Sequence, residues 1–426
     1  MARFQLRLAA LGIFSVVFLL FFAVIKLNEK SQREPPPVRL AKPIVVSSPC
    51  KKWKRELMKT RNPVESDKDV VLVTGAAGFI GSSVAKYCSR RLHMKVIAVD
   101  NLSSGFAHNL PSTKSSTLEF IRGDLTSVDF VAYLFAKFNI TYVYHLADYP
   151  ASYLSHFTRT FTYRNALMSS SHLINAAVKH DIACFVFVSS TAVYGSQPGS
   201  RPIDESRSPR PADPYGISKL AVELDLMTAK DVFGLDYVVL RLHSVFGDGQ
   251  SSIDPYRNPI ARFMRQIVYN EPIVIHGNGQ QKRSFTYVSD VVPLISRAPL
   301  IPAARNQIFN VGADQMVSMN DLAKMVIAAM GMKGHKIVHT SPRRLEVNQA
   351  VFDHSKAYCF FNPPPPTELS IALELTANWF QTIGRSLLKM AKMRRTFVEV
   401  KKKLPRLWIE GVTEANNVDH PKRVVQ

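Results

Sequence analysis

The feature that most constrains the fold of this chain is a set of three glycines between an apolar run and a helical pattern. The run 69–74 (DVVLVT) predicts a short buried strand, and Gly75, Gly78 and Gly81 follow it at a spacing of three residues. Glycines at this spacing let the backbone turn tightly, approach a pyrophosphate and pack a helix against a strand. The amides at the start of that helix then face the phosphates. The segment therefore predicts a dinucleotide site.

A carboxylate in the expected place supports this interpretation. The run 95–99 predicts a second strand, and Asp100 follows it, 19 residues after Gly81. A carboxylate there accepts hydrogen bonds from both ribose hydroxyls and repels a 2′-phosphate. NAD is therefore predicted as the cofactor, rather than NADP.

Strands and helices continue to alternate along the chain. Segments 118–122, 142–146 and 184–189 predict further strands, and 161–179 predicts a helix between two of them. Such alternation is typical of an α/β fold with a parallel, doubly wound sheet. We predict a Rossmann-type domain over 68–245 and a smaller C-terminal α/β substrate-binding lobe over 246–384, with some segments interleaved.

Tyr215 and Lys219 form a candidate catalytic pair, because residues four apart share one helix face. An ammonium beside a phenol stabilises the phenolate, and the positive nicotinamide ring would add to this. Tyrosine can then act as a base at neutral pH although its ordinary pKa is about 10. Ser190 or Thr191, where the strand 184–189 ends, can hold the substrate oxygen that gains or loses the proton.

Several motifs together resemble the extended short-chain dehydrogenase/reductase family, and within it the NAD-dependent nucleotide-sugar epimerases of the UDP-glucose 4-epimerase type. They are TGAAGFIG (74–81), GDL (123–125), HLA (145–147), SSTAVYG (189–195) and YGISK (215–219), and the resemblance spans roughly residues 69–382. It implies that Tyr215 is the catalytic base and acid, Lys219 its partner and Ser190 the donor to the substrate oxygen, with Thr191 as the alternative. The residues expected to contact the cofactor are Gly75, Gly78, Phe79, Ile80, Gly81, Asp100, Asn101, Asp124, Leu125, Leu146, Ala147, Tyr215 and Lys219.

The second half of the chain resembles the substrate-binding segments of the same family. Segment 241–247 is similar to R-x-x-N-x-x-G, 277–290 to G-x-G-x-Q-x-R-x-F-x-Y-V-x-D, and 342–346 to R-x-G-D. The resemblance implies that Arg283 and Arg343 bind a substrate diphosphate. The full set of implied substrate contacts is Ser190, Ser244, Arg283, Arg343 and Glu346, the last for a ribose.

Two departures from the family pattern affect the substrate more than the cofactor. Ser244 stands where the family usually has Asn, and its shorter hydroxyl is expected to weaken substrate binding. Leu345 and Glu346 replace Gly-Asp, which is expected to move the ribose contact.

The resemblance implies epimerisation of a UDP-sugar at carbon 4 through a transient ketone. Related dehydratases carry an Asp-Glu pair at the positions of Thr191 and Ala192, and decarboxylases that make UDP-xylose carry Glu at the second position. Neither acid is present here, which favours a UDP-glucose/UDP-galactose 4-epimerase. Three alternatives stay open: a UDP-glucuronate epimerase or decarboxylase of the secretory pathway, a membrane-bound NAD-dependent oxidoreductase, and a non-catalytic NAD-binding protein.

The N-terminus predicts attachment to a membrane. Residues 8–25 form an uncharged run of 18 residues, about the length that crosses a thin bilayer, after a short segment 1–7. We predict an uncleaved signal anchor, a cleaved signal being the alternative. A basic, proline-containing stem over 26–67 is expected to follow. The predicted location is the Golgi or endoplasmic reticulum, with the catalytic domain in the lumen.

The distribution of charge argues against a nucleic-acid partner. The net charge is +21, of which residues 1–67 carry +8 and residues 385–426 carry +7. The C-terminal tail over 385–426 lacks the interleaved aromatic residues of a nucleic-acid reader. We therefore predict that it is solvated or lies against a membrane.

The four cysteines have no paired spacing, which excludes a fold built on disulfides and a cysteine zinc site. The histidines show no metal spacing either, and no metal is predicted. Cys184, on an apolar strand, is expected to be a buried thiol. The resemblance alone implies a homodimer that pairs through the helices around 160–179 and 213–232.

Overall fold

Seven of the apolar segments form one parallel sheet. A computed structural model of the chain describes residues 48–57, 69–111, 117–197, 201–251, 258–342, 351–384, 398–400 and 402. Its strands are β1 (Val70–Thr74), β2 (Lys95–Asp100), β3 (Leu118–Arg122), β4 (Tyr142–His145), β5 (Cys184–Ser190), β6 (Tyr237–Leu242), β7 (Val245–Phe246), β8 (Ile273–His276), β9 (Lys282–Ser284), β10 (Thr286–Tyr287), β11 (Gln307–Val311), β12 (Met316–Ser318) and β13 (Ile337–Thr340).

The order of the main sheet creates a binding crevice. The strands lie in the order β3-β2-β1-β4-β5-β6-β11, and all neighbours are parallel. The order reverses between β1 and β4, and in sheets of this kind ligands bind at the carboxyl ends of the strands beside that point. The prediction of a Rossmann-type parallel sheet is confirmed.

Burial explains why the central strands are apolar throughout. Val71, Leu72 and Val73 of β1 are all 0% exposed, because helices cover both faces of the sheet. The α-helices are α1 (Lys54–Leu57), α2 (Phe79–Arg91), α3 (Val128–Lys137), α4 (Ser152–Ser155), α5 (Arg159–Tyr163), α6 (Ser169–Lys179), α7 (Pro214–Phe233), α8 (Pro259–Val268), α9 (Val288–Arg297), α10 (Met319–Ala329), α11 (Ser355–Phe361) and α12 (Leu369–Trp379).

The later part of the chain forms small strand pairs and also returns to the main sheet. β8 pairs with β13, β9 with β12, and β7 with β10, while α10 packs against both α8 and α12. β11 comes after β7 to β10 in the chain, yet it pairs with β6 and forms an edge of the main sheet. Segments of the two predicted regions are thus interleaved, and their exact boundary stays a prediction.

Part of the predicted stem is folded onto the domain. Residues 48–57 form a 3-10 turn followed by α1. Cys50 and Leu57 are buried, and the ring of Trp53 meets the edge of Phe360. Cys50 is disulfide-bonded to Cys359 of α11, at a sequence separation of 309. Spacing did not predict this pair, because its members meet only through the tertiary fold.

A piece of the predicted tail also contacts the domain. The two carboxylate oxygens of Glu399 accept hydrogen bonds from the amides of Thr160 and Phe161, at 2.8 and 2.7 Å, at the start of α5. The amide of Glu399 in turn donates to the carbonyl of Phe157. Residues 398–400 are therefore docked on the domain. The prediction of a tail that is solvated or lies against a membrane is wrong for these residues.

The predicted membrane span, residues 8–25, lies outside the described residues. Within the ranges that the structure describes, no helix is both long enough and apolar enough to cross a bilayer.

The disulfide makes a testable contribution to stability. Closing a loop of this length restricts the unfolded chain, so the double variant Cys50→Ser/Cys359→Ser should lose about 2–5 kcal/mol of unfolding free energy in urea titrations. Cys88 and Cys184 are buried free thiols, and burial raises the pKa of each to about 12. Because these two thiols take no part in the disulfide, reduced wild type should have the same unfolding free energy as the double variant. Equal unfolding free energies of the oxidised and the reduced wild type would contradict a stabilising disulfide.

Candidate active site

A cavity of about 670 Å³ opens at the carboxyl ends of the parallel strands. Every predicted site residue that the structure describes lines it, namely Gly75, Gly78, Phe79, Ile80, Gly81, Asp100, Asn101, Asp124, Leu125, Leu146, Ala147, Ser190, Thr191, Tyr215, Lys219, Ser244 and Arg283. Arg343 and Glu346 lie outside the described residues. The cavity has the size of a typical small-molecule site.

The glycine turn leaves room that side chains would fill. Gly75 has a φ of +65°, and a Cβ on it would lie 2.8 Å from the amide nitrogen of Ala147. A Cβ on Gly81 would lie 2.1 Å from the carbonyl oxygen of Gly75, so the start of α2 packs directly on the turn. The backbone can therefore come close to a pyrophosphate at this helix N-terminus.

Asp100 is positioned by the same turn. Its Oδ2 accepts a hydrogen bond from the amide of Ala77 at 3.0 Å, and its Oδ1 accepts one from Leu102 at 2.7 Å. A carboxylate oxygen can accept more than one hydrogen bond. The buried carboxylate at the cavity fits the two ribose hydroxyls of a dinucleotide.

Asp124 lies at the same edge, where β3 ends. Partial burial raises its pKa, but hydrogen bonds from Thr126 and Asn101 outweigh this and hold the pKa below its ordinary value. The carboxylate is thus ionised and available to an adenine amino group.

The candidate catalytic pair lies on the first turns of α7. Pro214 begins this helix, and Asp213 caps it by accepting a hydrogen bond from the amide of Gly216 at 2.7 Å. Tyr215 and Lys219 are both buried, and the Lys219 ammonium lies 5.7 Å from the centre of the Tyr215 ring. The structure therefore places the two side chains together, as the helical spacing predicts.

A carboxylate that the sequence did not single out joins this pair. Asp148 Oδ2 forms an ion pair with Lys219 Nζ at 3.0 Å, and both side chains are almost completely buried. Asp148 directly follows the HLA motif at the end of β4. An acid at a strand end beside a predicted site is a signal that could have identified it.

The two candidate hydroxyls differ in their contacts. Thr191 donates its hydroxyl proton to the carbonyl of Leu242 at 3.4 Å. Ser190 Oγ accepts from the amide of Ala192 at 3.1 Å and keeps its own proton. Ser190 is therefore the better placed of the two to donate to a substrate oxygen.

His145 has a structural position at the end of β4. Its Nδ1 lies 2.8 Å from the hydroxyl of Thr74 and its Nε2 lies 2.9 Å from that of Ser170. Burial, with the positive charge of Lys219 as a second cause, lowers the pKa of His145 to about 3. The ring is neutral at physiological pH and joins β1, β4 and α6.

The far wall of the cavity carries the implied substrate contacts. Arg283, on β9, is half-buried at the cavity. Ser244 has a φ of 40°, in the left-handed region that Asn tolerates better than Ser. His243 and Phe352 also line this wall, and neither was predicted. Burial lowers the pKa of His243 to about 3, so it presents a neutral ring.

Comparison with known proteins agrees with this geometry. The family model for the NAD-dependent epimerase/dehydratase family matches residues 71–312. A UDP-glucose 4-epimerase of Mycolicibacterium smegmatis is 30% identical over 314 residues, which are 73% of this chain and 98% of that protein.

Solved structures with bound ligands are similar as well. UDP-glucose 4-epimerase of Thermotoga maritima with UDP-glucose has a TM-score of 0.68 and 28% identity, covering 75% of this chain and 99% of that one. UDP-glucuronic acid 4-epimerase of Bacillus cereus, in complex with UDP-glucuronic acid and NAD, has a TM-score of 0.66 and 27% identity, covering 74% and 99%. The glycine turn and Asp100 fit NAD, which is the cofactor. The chain belongs to the NAD-dependent epimerase/dehydratase family.

Proposed function

We propose that this protein interconverts a UDP-sugar with its carbon-4 epimer, of the UDP-glucose/UDP-galactose type, through a transient 4-keto sugar. The observation that carries the proposal is that Tyr215, Lys219 and Ser190 line the same cavity as the glycine turn and Asp100. The absence of an acid at Thr191 and Ala192 favours return of the ketone to an alcohol over elimination or decarboxylation.

The side chains divide the work of such a reaction. NAD, when bound, supplies a reversible acceptor for the hydride of carbon 4. Tyr215 takes the proton from the 4-hydroxyl and later returns it, while Ser190 donates a hydrogen bond to the same oxygen. Arg283 binds the diphosphate and so holds the nucleotide while the ketone presents its other face.

A second candidate is UDP-glucuronate, as substrate of an epimerase or a decarboxylase. It is supported by the similarity to the Bacillus cereus enzyme, which binds that nucleotide sugar. An oxidoreductase acting on an apolar substrate is less well supported, because an arginine and several polar groups line the cavity.

We also propose that the domain lies in the lumen of the secretory pathway, anchored by residues 8–25, and acts as a homodimer. The disulfide between Cys50 and Cys359 supports this location, because disulfides persist in oxidising compartments.

A panel of nucleotide sugars tests the reaction. Purified full-length protein with NAD should convert UDP-glucose and UDP-galactose into each other, read by NMR and mass spectrometry. A product lighter by one carbon dioxide from UDP-glucuronate would instead establish the decarboxylase.

Tyr215→Phe should lower turnover by about 10²–10⁴-fold while NAD stays bound, because the general base is lost. Tyr133→Phe, on the exposed face of α3, is the matched control, and full activity of Tyr215→Phe would refute the assignment.

Ser244 offers a test of substrate binding. Asn accepts the left-handed backbone better than Ser, so Ser244→Asn should raise the unfolding free energy by up to about 1 kcal/mol and also lower KM. Ser244→Gly relieves the same backbone without an amide and should raise stability while leaving KM unimproved. If the two variants have equal KM, the amide plays no part in binding.

Glycosylation tests the luminal location. Asn139 is exposed and begins the sequon Asn139-Ile140-Thr141, whereas the sequon at Asn101 lies in the cavity. Protein made in a eukaryotic cell should lose apparent mass with peptide N-glycosidase, and Asn139→Gln should abolish this shift while Asn101→Gln keeps it. A wild-type chain without glycan at Asn139 would count against luminal exposure.

A further inference from the structure

The ion pair between Asp148 and Lys219 has consequences for the catalytic tyrosine. The Asp148 carboxylate approaches the ammonium to 3.0 Å, with 4% of the Asp148 side chain and 6% of the Lys219 side chain exposed. Its other oxygen, Oδ1, accepts a hydrogen bond from the amide of Tyr149 at 2.6 Å. The carboxylate is thus held against the lysine by the backbone that leaves β4.

Lys219 has further contacts that determine where its charge lies. Its ammonium donates a hydrogen bond to the carbonyl of Val188 at 3.0 Å and lies 4.8 Å from the centre of the Phe187 ring. The centre of the Tyr215 ring lies 5.7 Å from the same ammonium. A carboxylate and a tyrosine ring therefore lie beside one positive charge, and all three side chains are largely buried.

We propose that Asp148 is a positioning residue that holds Lys219 in place and offsets its charge, so that Tyr215 ionises at a higher pH than it would beside an unpaired lysine. The physical reason is that a nearby anion disfavours a second anion, and little solvent screens the two at this burial. The inference rests on the proposed role of Tyr215 as the base.

A higher ionisation pH of Tyr215 suits a residue that must take a proton and return it. A phenol that ionises far below neutral pH holds a stable phenolate, which is a poor base. A phenol that ionises near the working pH transfers the proton readily in both directions. Asp148 would therefore tune Tyr215 for a reaction that runs equally well both ways.

The neighbouring titratable groups do not supply the same negative charge. Those around the pair and at the cavity are Asp100, Asp124, His145, Tyr149, Tyr153, His156, Asp213, His243 and Arg283. His145 and His243 are neutral. The other carboxylates are bound by backbone amides elsewhere: Asp100 by Ala77 and Leu102, Asp124 by Thr126, and Asp213 by Gly216 as a helix cap. Glu223, one turn beyond Lys219 on α7, is bound to Arg241. Among the described residues, Asp148 is the carboxylate at ion-pair distance from Lys219.

Ionisation of Tyr215 can be measured directly. The phenolate absorbance of full-length protein with NAD is titrated, and the titration of Tyr215→Phe is subtracted to remove the other tyrosines among the 14. In Asp148→Asn, with its own Tyr215→Phe background, the midpoint should fall by about one pH unit. The acidic limb of the pH–kcat/KM profile should move in the same direction.

Matched variants separate this role from a structural one. Asp129→Asn removes an exposed charge on α3 and should leave the midpoint unchanged, and Asp148→Glu should keep it close to wild type. Loss of activity in Asp148→Asn at every pH with an unmoved midpoint would overturn the proposal. So would failure of both Asp148→Asn and the smaller Asp148→Ser to fold, because Asp148 would then serve folding.

The titration also distinguishes this proposal from the proposed function. A shifted midpoint in protein that converts no UDP-sugar would refute the function and support the role of Asp148. Epimerase activity with an unshifted midpoint would do the reverse.

Discussion

The buried ion pair between Glu223 and Arg241 is the interaction on which the geometry of the candidate active site depends. Arg241 Nε lies 3.1 Å from Oε1 of Glu223, and Nη2 lies 2.6 Å from Oε2, a bidentate contact that joins α7 to β6. Neither side chain is more than 3% exposed. Losing one partner of such a pair leaves an uncompensated buried charge, which costs about 3–5 kcal/mol. The pair therefore holds α7 firmly against the sheet.

The network around this pair reaches the strand that ends at Ser190. Ser189 donates its hydroxyl to Glu223, and Arg241 Nη1 donates to the hydroxyl of Tyr194 at 2.7 Å. Burial raises the pKa of Tyr194 to about 12, so its hydroxyl keeps a proton and donates it to Asn310 of β11. One hydrogen-bonded network thus sets the position of the helix that carries Tyr215 relative to the strand that carries Ser190.

Two segments near the ends of the chain are held on the domain by contacts of another kind. The disulfide attaches the segment 48–57 to α11, and Glu399 caps the start of α5, close to the cavity-lining His156. From composition alone, both regions were predicted to be polar segments outside the folded domain. In the fold they close onto the catalytic domain, because a cysteine and a carboxylate meet partners far away in the chain.

Local patterns determined much about this protein by themselves. The glycine spacing, the apolar runs and the four-residue spacing of Tyr215 and Lys219 depend on neighbours along the chain. The parallel sheet, the cofactor turn and the proximity of Tyr215 to Lys219 could therefore be predicted. Arg343 and Glu346 lie outside the described residues, and their roles stay predictions. Only the tertiary structure decided that Asp148 meets Lys219, that Cys50 meets Cys359 and that Arg241 pairs with Glu223 of α7. The residues of each pair lie on different helices, strands or loops. A periodic pattern along the chain reports only on neighbours in sequence, so it cannot predict which elements come together in the fold.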